Sequence, residues 1–434
     1  MFEGDSVACN LKLGREMNGE IITIGNELTS GRTPDLNSWY AAGKLTASGL
    51  NVTRVTSVGD DEEMVSHALK MVSESSRFVI VTGGLGSTDD DMTCRIVANA
   101  LDRPLYPDQH MLEKIKAHVK ARGAEMTPPL QKMALLPEGA TMISPSGDTC
   151  GFSLAKKNVR FYFLPGVPEQ MRHLMDKFVL PELLSLYETV PVVRQRLIKL
   201  YGLSEPRIAE IFVKLRGKPT DAVLGFYPHF PENHITVSLQ GEDELTVTAE
   251  LDQVEAEIFS LVGDYIFATG NQEMEEVVGG LLTEKGKTIS VAESCTGGLI
   301  GHRLTNVPGS SNYFCGGVVS YSNQSKVNIL GVDAETINEY GAVSNETAQE
   351  MARGIRERMK SDLGLAVTGV AGPDGGSNDK PVGTVYIGLS SADEVFSRRY
   401  GFWGRRKQIK LNTSMMTLDW VRRYLNGDPI LSGI

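Results

Sequence analysis

Short apolar runs that end in glycine and polar residues alternate with amphipathic stretches along this chain, and that rhythm constrains its fold more than any other feature. Glycine supplies 45 of the 434 residues, many of them just after such a run. A strand covered on both faces reads as a continuous apolar run, and the helix that carries the chain to the next parallel strand reads as an amphipathic stretch. The rhythm occurs twice, with a different segment between. The expected fold class is α/β, with two three-layer αβα domains and a small α+β domain between them.

In the first block, residues 17–190, the expected strands are EIITIG (20–25), NVTRVTSVGD (51–60) and RFVIVTGG (77–84). Helices are expected over 35–49 and from the second strand to about Ser75. Two short strands around 149–166 and a helix from Pro168 close the block. The second block, 191–268, reads as a strand (192–202), a helix (204–216), a strand (234–241) and a helix over about 242–262. The third, 269–434, has a helix at 272–285 and strands at 287–294, 313–322, 361–372 and 383–390. A helix is expected to start near Cys295, and the last one to run over 405–425. Residues 1–16 have no periodicity and read as a disordered or extended lead-in, or as a start placed upstream of Met17.

Charge and composition exclude several classes of function. The formal net charge of −11 disfavours non-specific contact with phosphate backbones. The basic residues of the middle block are scattered, so that block is expected to be a spacer or an interface rather than a nucleic-acid reader. No stretch approaches the roughly 20 apolar residues of a membrane span, and the N-terminus has no secretory apolar core. The five cysteines form no CxxC pair, which fits free thiols in a reducing cytoplasm. The seven histidines lack ligand-like spacing.

The polar-glycine motifs fall at expected strand ends, where open α/β sheets bind ligands. VTGGLGSTDDDMT (81–93) joins a glycine turn to Asp89, Asp90 and Asp91. Its backbone N–H groups suit an anion, and its carboxylates suit a bridging divalent cation. It equally fits a glycine turn followed by helix caps. IGNELTSGRTPDLNSWY (24–40) contains Asp35, a ligand contact or an N-cap, and Asp60 carries the same ambiguity. VAESCTGGLIG (291–301) offers two rival nucleophiles, Ser294 and Cys295, with Thr296 beside them. Ser294 as a mere helix cap is the competing reading. YSNQSKVNIL (321–330) contributes Lys326, a base if a partly desolvated cleft lowers its pKa and otherwise a surface lysine. AVTGVAGPDGG (366–376) reads as a strand running into a ligand-hugging loop, and Arg405 and Arg406 as a phosphate clamp or surface charge.

These motifs occur in a telling order: TGGLGSTDDDMT, LPGVPEQM, ESCTGG, YSNQSK, GAVS and TGVAGPDGG, then KPVGTVYIG. Together they resemble the CinA family, the competence/damage-inducible protein A proteins, from about Gly19 to Leu425. The resemblance implies a molybdopterin-binding-like domain, a small middle domain and a nicotinamide-nucleotide amidase domain. It implies that the C-terminal domain deamidates nicotinamide mononucleotide (NMN) to nicotinate mononucleotide and ammonia, without a metal. The N-terminal domain would hydrolyse the pyrophosphate of ADP-ribose with a divalent ion of the Mg, Mn or Co type. Pyridine-nucleotide salvage and a homodimer, without nucleic acid or membrane as direct partners, complete the expectation.

Carried over residue by residue, the resemblance makes Ser294 the nucleophile, Lys326 the base, Tyr321 a supporting hydroxyl and Thr368 a further catalytic-loop residue. Cys295, Thr296, Gly297, Gly369 and Arg406 would surround that substrate. In the N-terminal half Gly83, Gly84, Gly86, Asp35, Asn37 and Asp60 would bind substrate, with Asp90 and Asp91 on the metal. That half departs from the family pattern at Asn26 (for an acid), Ser87 (for proline), Gln170 (for glutamate) and at Ser144 and Cys150 within SPSGDTCGF. A rival reading is a molybdopterin-binding or adenylylating N-terminal module with a regulatory C-terminal half. A third is a non-catalytic interaction protein.

Overall fold

The computed structural model describes residues 17–72, 74–86, 93–121, 123, 125–144, 150–216 and 221–431. The chain divides into two compact units. The first takes residues up to Gln195 together with Ser238–Leu251, and the second takes Arg196–Val237 with Asp252 onward.

The first unit is built on β1 (Asn18–Ile24), β2 (Asn51–Val58), β3 (Phe78–Thr82), a small antiparallel pair β4 (Leu105–Pro107) and β5 (Leu135–Pro137), then β6 (Thr141–Met142), β7 (Phe152–Lys156) and β8 (Val159–Leu164). The main sheet has the order β2-β1-β3-β8-β7-β6. It is parallel from β2 to β8, and β7 and β6 run antiparallel. Side chains alternate across a strand, so Ile22, Val79 and Val81 enter one core with Ile96 and Val97 of the helix Thr93–Leu101. Ile21 and Ile80 enter the opposite core with Leu45, Met171 and Leu174. Two cores on two faces of one sheet give the expected αβα layering.

The middle segment contributes β9 (Val192–Leu200), β10 (Val223–His229), β11 (Glu232–Gly241) and β12 (Ile266–Thr269), in the order β10-β11-β9-β12. Its helices are Glu205–Arg216 and Glu244–Val262. Strands β10 and β12 were not expected. Gly225 and Pro228 punctuate the first, and the second is only four residues long, so neither carries a clear period.

The remainder of the second unit carries β13 (Ile289–Glu293), β14 (Phe314–Val319), β15 (Leu363–Gly369), β16 (Thr384–Ser390) and β17 (Val395–Gly401), in the order β14-β13-β15-β16-β17. Val291, Leu365 and Val367 join a core with Val278 and Trp420, and Ala292 and Ala366 join another with Met351, Ala352 and Ile355. Only β14, β13 and β15 are parallel; β16 and β17 turn back antiparallel. A wholly parallel sheet needs a crossover helix at each step. The glycine-rich segment 370–383 contains none, so the chain folds back on itself there.

Two chain reversals matter for ligand binding. From β1 the chain goes first to β2 on one side and then to β3 on the other, and from β13 it goes to β14 and then to β15. The carboxyl ends of β1 and β13 are therefore switch points, where crevices form in sheets of this kind. Among the described residues no helix is long and apolar enough to cross a membrane.

Candidate active site

The nucleophile loop differs from the expected helix start. The helix begins at Leu299, four residues after Cys295, and its N-cap is Gly298 rather than Ser294. Residues 294–298 form a turn, with Gly297 and Gly298 at φ 62° and 93°, values that favour glycine. Ser294 is thus free of the capping role that competed for it. Its N–H donates to the Val367 carbonyl at 3.1 Å, which ties the loop to the neighbouring strand.

Lys326 comes to Ser294 from beyond β14. A short helix, Asn323–Ser325, opens with Ser322 as its cap and continues as a π-helix over Lys326–Leu330. Lys326 is 2 % exposed, so it is no surface lysine. Its Nζ lies 3.1 Å from Ser294 Oγ and 2.7 Å from the Ser320 carbonyl oxygen. Burial disfavours the ammonium and lowers the pKa; the neighbouring Cys295 acts in the opposite direction. An amine of lowered pKa beside a hydroxyl has the makeup of a general base and its nucleophile.

The rival thiol is poorly suited to that role. Cys295 is buried in the core and burial pushes its pKa up to about 12, the Glu293 carboxylate adding to the effect. At neutral pH it stays a thiol, and the thiolate is the reactive form.

The loop's donors are unequal. Gly297 N–H donates to the Ser294 carbonyl at 3.1 Å and is engaged within the turn, so Gly297 lies beside the nucleophile without a free donor. The Cys295 N–H faces its own sulfur, among the described residues no backbone carbonyl takes the N–H of Thr296, and the enclosed Thr296 hydroxyl has no partner. The helix N–H groups of Gly298, Ile300 and Gly301 all donate to the Glu293 carboxylate, at 2.9, 3.2 and 2.8 Å.

The other expected C-terminal residues surround this loop. The last pairing between β13 and β15 is Glu293 with Val367, so Thr368 and Gly369 extend alongside the loop that follows Glu293. Thr368 donates its hydroxyl to the Ala342 carbonyl at 2.6 Å. Arg406 donates to the Gly372 carbonyl at 2.8 Å and to the Tyr321 hydroxyl at 2.9 Å, linking the glycine-rich loop to an exposed phenol. Arg405 is the N-cap of the helix Arg406–Asn426.

The first unit has its own crevice, a cleft of about 350 Å³. Its walls come from the ends of β1 (Ile24, Gly25), β3 (Gly83, Gly84, Leu85, Gly86) and β8 (Pro165, Gly166), with Asp60 from beyond β2 and Glu27, Cys150 and Gln170. Asn26 N–H donates to the Asp60 carboxylate at 2.8 Å, and the Asp60 N–H returns a bond to the Asn26 side chain at 3.2 Å. Asn26 thus braces the β1 and β2 ends through its backbone N–H and its side-chain oxygen.

Asp35 and Asn37 stand behind that wall. Asp35 Oδ1 caps the helix Leu36–Ala47 by accepting from Ser38 N–H, while its Oδ2 is buried without a partner. Asn37 donates to Thr82 Oγ1 at 3.0 Å and to the Gly166 carbonyl at 2.8 Å, bracing β3 against the loop after β8; its Oδ1 is likewise unpartnered. Asp90, Asp91 and Ser87 lie outside the described residues. Among the described residues no three carboxylate, histidine or cysteine groups gather as a cation site.

The geometry can be set beside known proteins. Residues 20–185 match the family described as "Probable molybdopterin binding domain", 195–268 match "Damage-inducible protein CinA KH domain", and 271–425 match "CinA C-terminal domain". A "CinA-like protein" of Desulfotalea psychrophila is 40 % identical over 413 residues, which is 95 % of this chain and 100 % of that protein. The chain belongs to the CinA family. A second CinA-like protein, from Syntrophus aciditrophicus, is 40 % identical over 408 residues, 93 % of this chain and 97 % of its own. The crystal structure of the competence/damage inducible protein CihA from Agrobacterium tumefaciens shares 38 % identity over 36 % of this chain and 97 % of that one, with a TM-score of 0.34.

Within this CinA chain three site residues escaped the sequence reading. The Ser320 carbonyl holds Lys326, a backbone role that no residue type announces. Glu293 reads as the end of a strand, and only the fold turns its carboxylate onto a helix. Lys410 lies one turn beyond Arg406, and its Nζ is 3.5 Å from where a side chain on Gly297 would begin. The (i, i+4) spacing of Arg406 and Lys410 puts both cations on one helix face and was a usable signal.

Proposed function

We propose that the second unit is a serine-lysine amidase that converts NMN to nicotinate mononucleotide and ammonia. The observation that carries this reading is the 3.1 Å approach of the buried Lys326 Nζ to Ser294 Oγ. Ser294 Oγ attacks the carboxamide carbon as its proton passes to Lys326. The Thr296 N–H, which no backbone carbonyl takes among the described residues, suits the developing oxyanion, with the neighbouring Cys295 N–H beside it. The C–N bond then breaks, Lys326 returns the proton to the leaving ammonia, and a nicotinoyl ester remains on Ser294. Water attacks that ester with Lys326 again accepting the proton. Arg406 and Lys410 stand ready for the nucleotide's phosphate. Ser294→Ala should lower ammonia release from NMN by about 10³-fold or more with folding intact. Near-wild-type turnover by that variant would overturn the assignment.

The first unit's cleft suits a phosphate-bearing ligand, because glycine backbone from β3 lines it at a switch point. Hydrolysis of the ADP-ribose pyrophosphate is the reading we carry forward. The match to a molybdopterin-binding family favours molybdopterin as the competing ligand. Among the described residues no three metal-ligating side chains gather as a site for a divalent ion. Incubation with ADP-ribose and with molybdopterin, each with a divalent ion, separates the two.

A further inference from the structure

We propose that Glu293 is a positioning residue for the Ser294–Lys326 pair, a role that rests on the amidase reading above. The carboxylate is 2 % exposed and accepts three backbone N–H groups from the start of the helix Leu299–Asn306. A helix start carries about half a positive charge, and here that charge is matched by an internal anion rather than offered to substrate. The five-residue loop is thereby closed. Glu293 grips its far end through the side chain, and Ser294 N–H and Gly297 N–H hold it to β15 and to itself.

The backbone of the same residue reaches the other half of the pair. The Glu293 carbonyl accepts the Ser320 N–H at 2.8 Å, and the Ser320 carbonyl accepts Lys326 Nζ at 2.7 Å. One residue therefore sets where the hydroxyl sits, through its side chain, and where the amine sits, through its carbonyl. Misplacement of reacting groups by about 1 Å can lower a rate about 100-fold without touching substrate.

The test is Glu293→Gln. The amide keeps one acceptor oxygen and turns an NH2 group toward N–H donors, so the loop loses at least one anchor while the volume is kept. On NMN, kcat should fall by about 10- to 100-fold with KM within about twofold. Labelling of Ser294 by a serine-directed fluorophosphonate should slow by a similar factor. Glu275→Gln is the control: it removes an equal charge from the ion pair with Arg303 on the same helix, 2.6 Å away, and should leave both rates unchanged. The inference is overturned if Glu293→Gln labels and turns over like wild type, or if Glu275→Gln slows both as much. A wild-type chain whose Ser294 labels but releases no ammonia from NMN would sink the substrate reading alone. The labelling comparison would then still decide the role of Glu293.

Discussion

Lys326 carries the most consequential single property of the site. Its pKa lies below the ordinary value of 10.5 because burial disfavours the charged form. Turnover should therefore rise with pH as the amine loses its proton and level off at an inflection below 10.5, read from kcat against pH. The same shift bears on stability. As pH falls from 10.5 toward the folded-state value, the unfolded chain binds a proton that the folded chain refuses, so stability is lost across that window. Lys326→Met should abolish turnover and raise Tm at neutral pH, with the gain vanishing above pH 10.5. Cys295 offers the contrasting case. With its thiol at about 12, it should resist iodoacetamide at neutral pH. Cys295→Ala should keep kcat within about threefold of wild type, since a thiol held protonated transfers no proton.

At the scale of elements, the site depends on how closely the π-helix bearing Lys326 is approached by the helix Asn345–Met359. Gly354 faces the Leu330 carbonyl, and a Cβ there would stand 1.9 Å from that oxygen. No side chain fits without moving the backbone that ends the lysine's helix. Gly354→Ala should destabilise the chain by about 1–3 kcal/mol, measured by denaturant unfolding, and lower kcat more than it raises KM. The strand ends explain why the motifs were readable. Continuous apolar runs marked β1, β3 and β13, and the polar residues after them fall at the carboxyl ends. β10, β12 and β17 escaped because proline, brevity or paired arginines blurred their period. The start of the helix after Ser294 was misjudged because Cys295 and Thr296 resemble a first helical turn, whereas Gly297 and Gly298 take left-handed φ and delay it.

For the whole molecule, the two candidate sites belong to different compact units and rest on different chemistry. Chelation should therefore leave ammonia release from NMN unchanged while ending any hydrolysis of ADP-ribose. Loss of both activities would refute a metal-independent amidase. Among the described residues of the segment matching the KH family, Arg196 pairs with Asp252 and Glu255, Lys199 with Glu273 and Arg207 with Glu210. A cation facing a carboxylate is a weaker phosphate ligand than a free one.

Periodicity and glycine placement, taken alone, determined the layered α/β plan and the clustering of chemistry at strand ends, while the ordered motifs and their resemblance to the CinA family singled out Ser294 and Lys326 from their rivals. The plan was legible because burial on two faces and tight turns leave marks in local residue order. Folding alone decided that a lysine 32 residues away meets the serine at a buried position. It also decided that Glu293 occupies the helix start and that only some loop N–H groups remain free. Desolvation and competition for hydrogen bonds depend on which distant groups arrive, and no local pattern of residues records that.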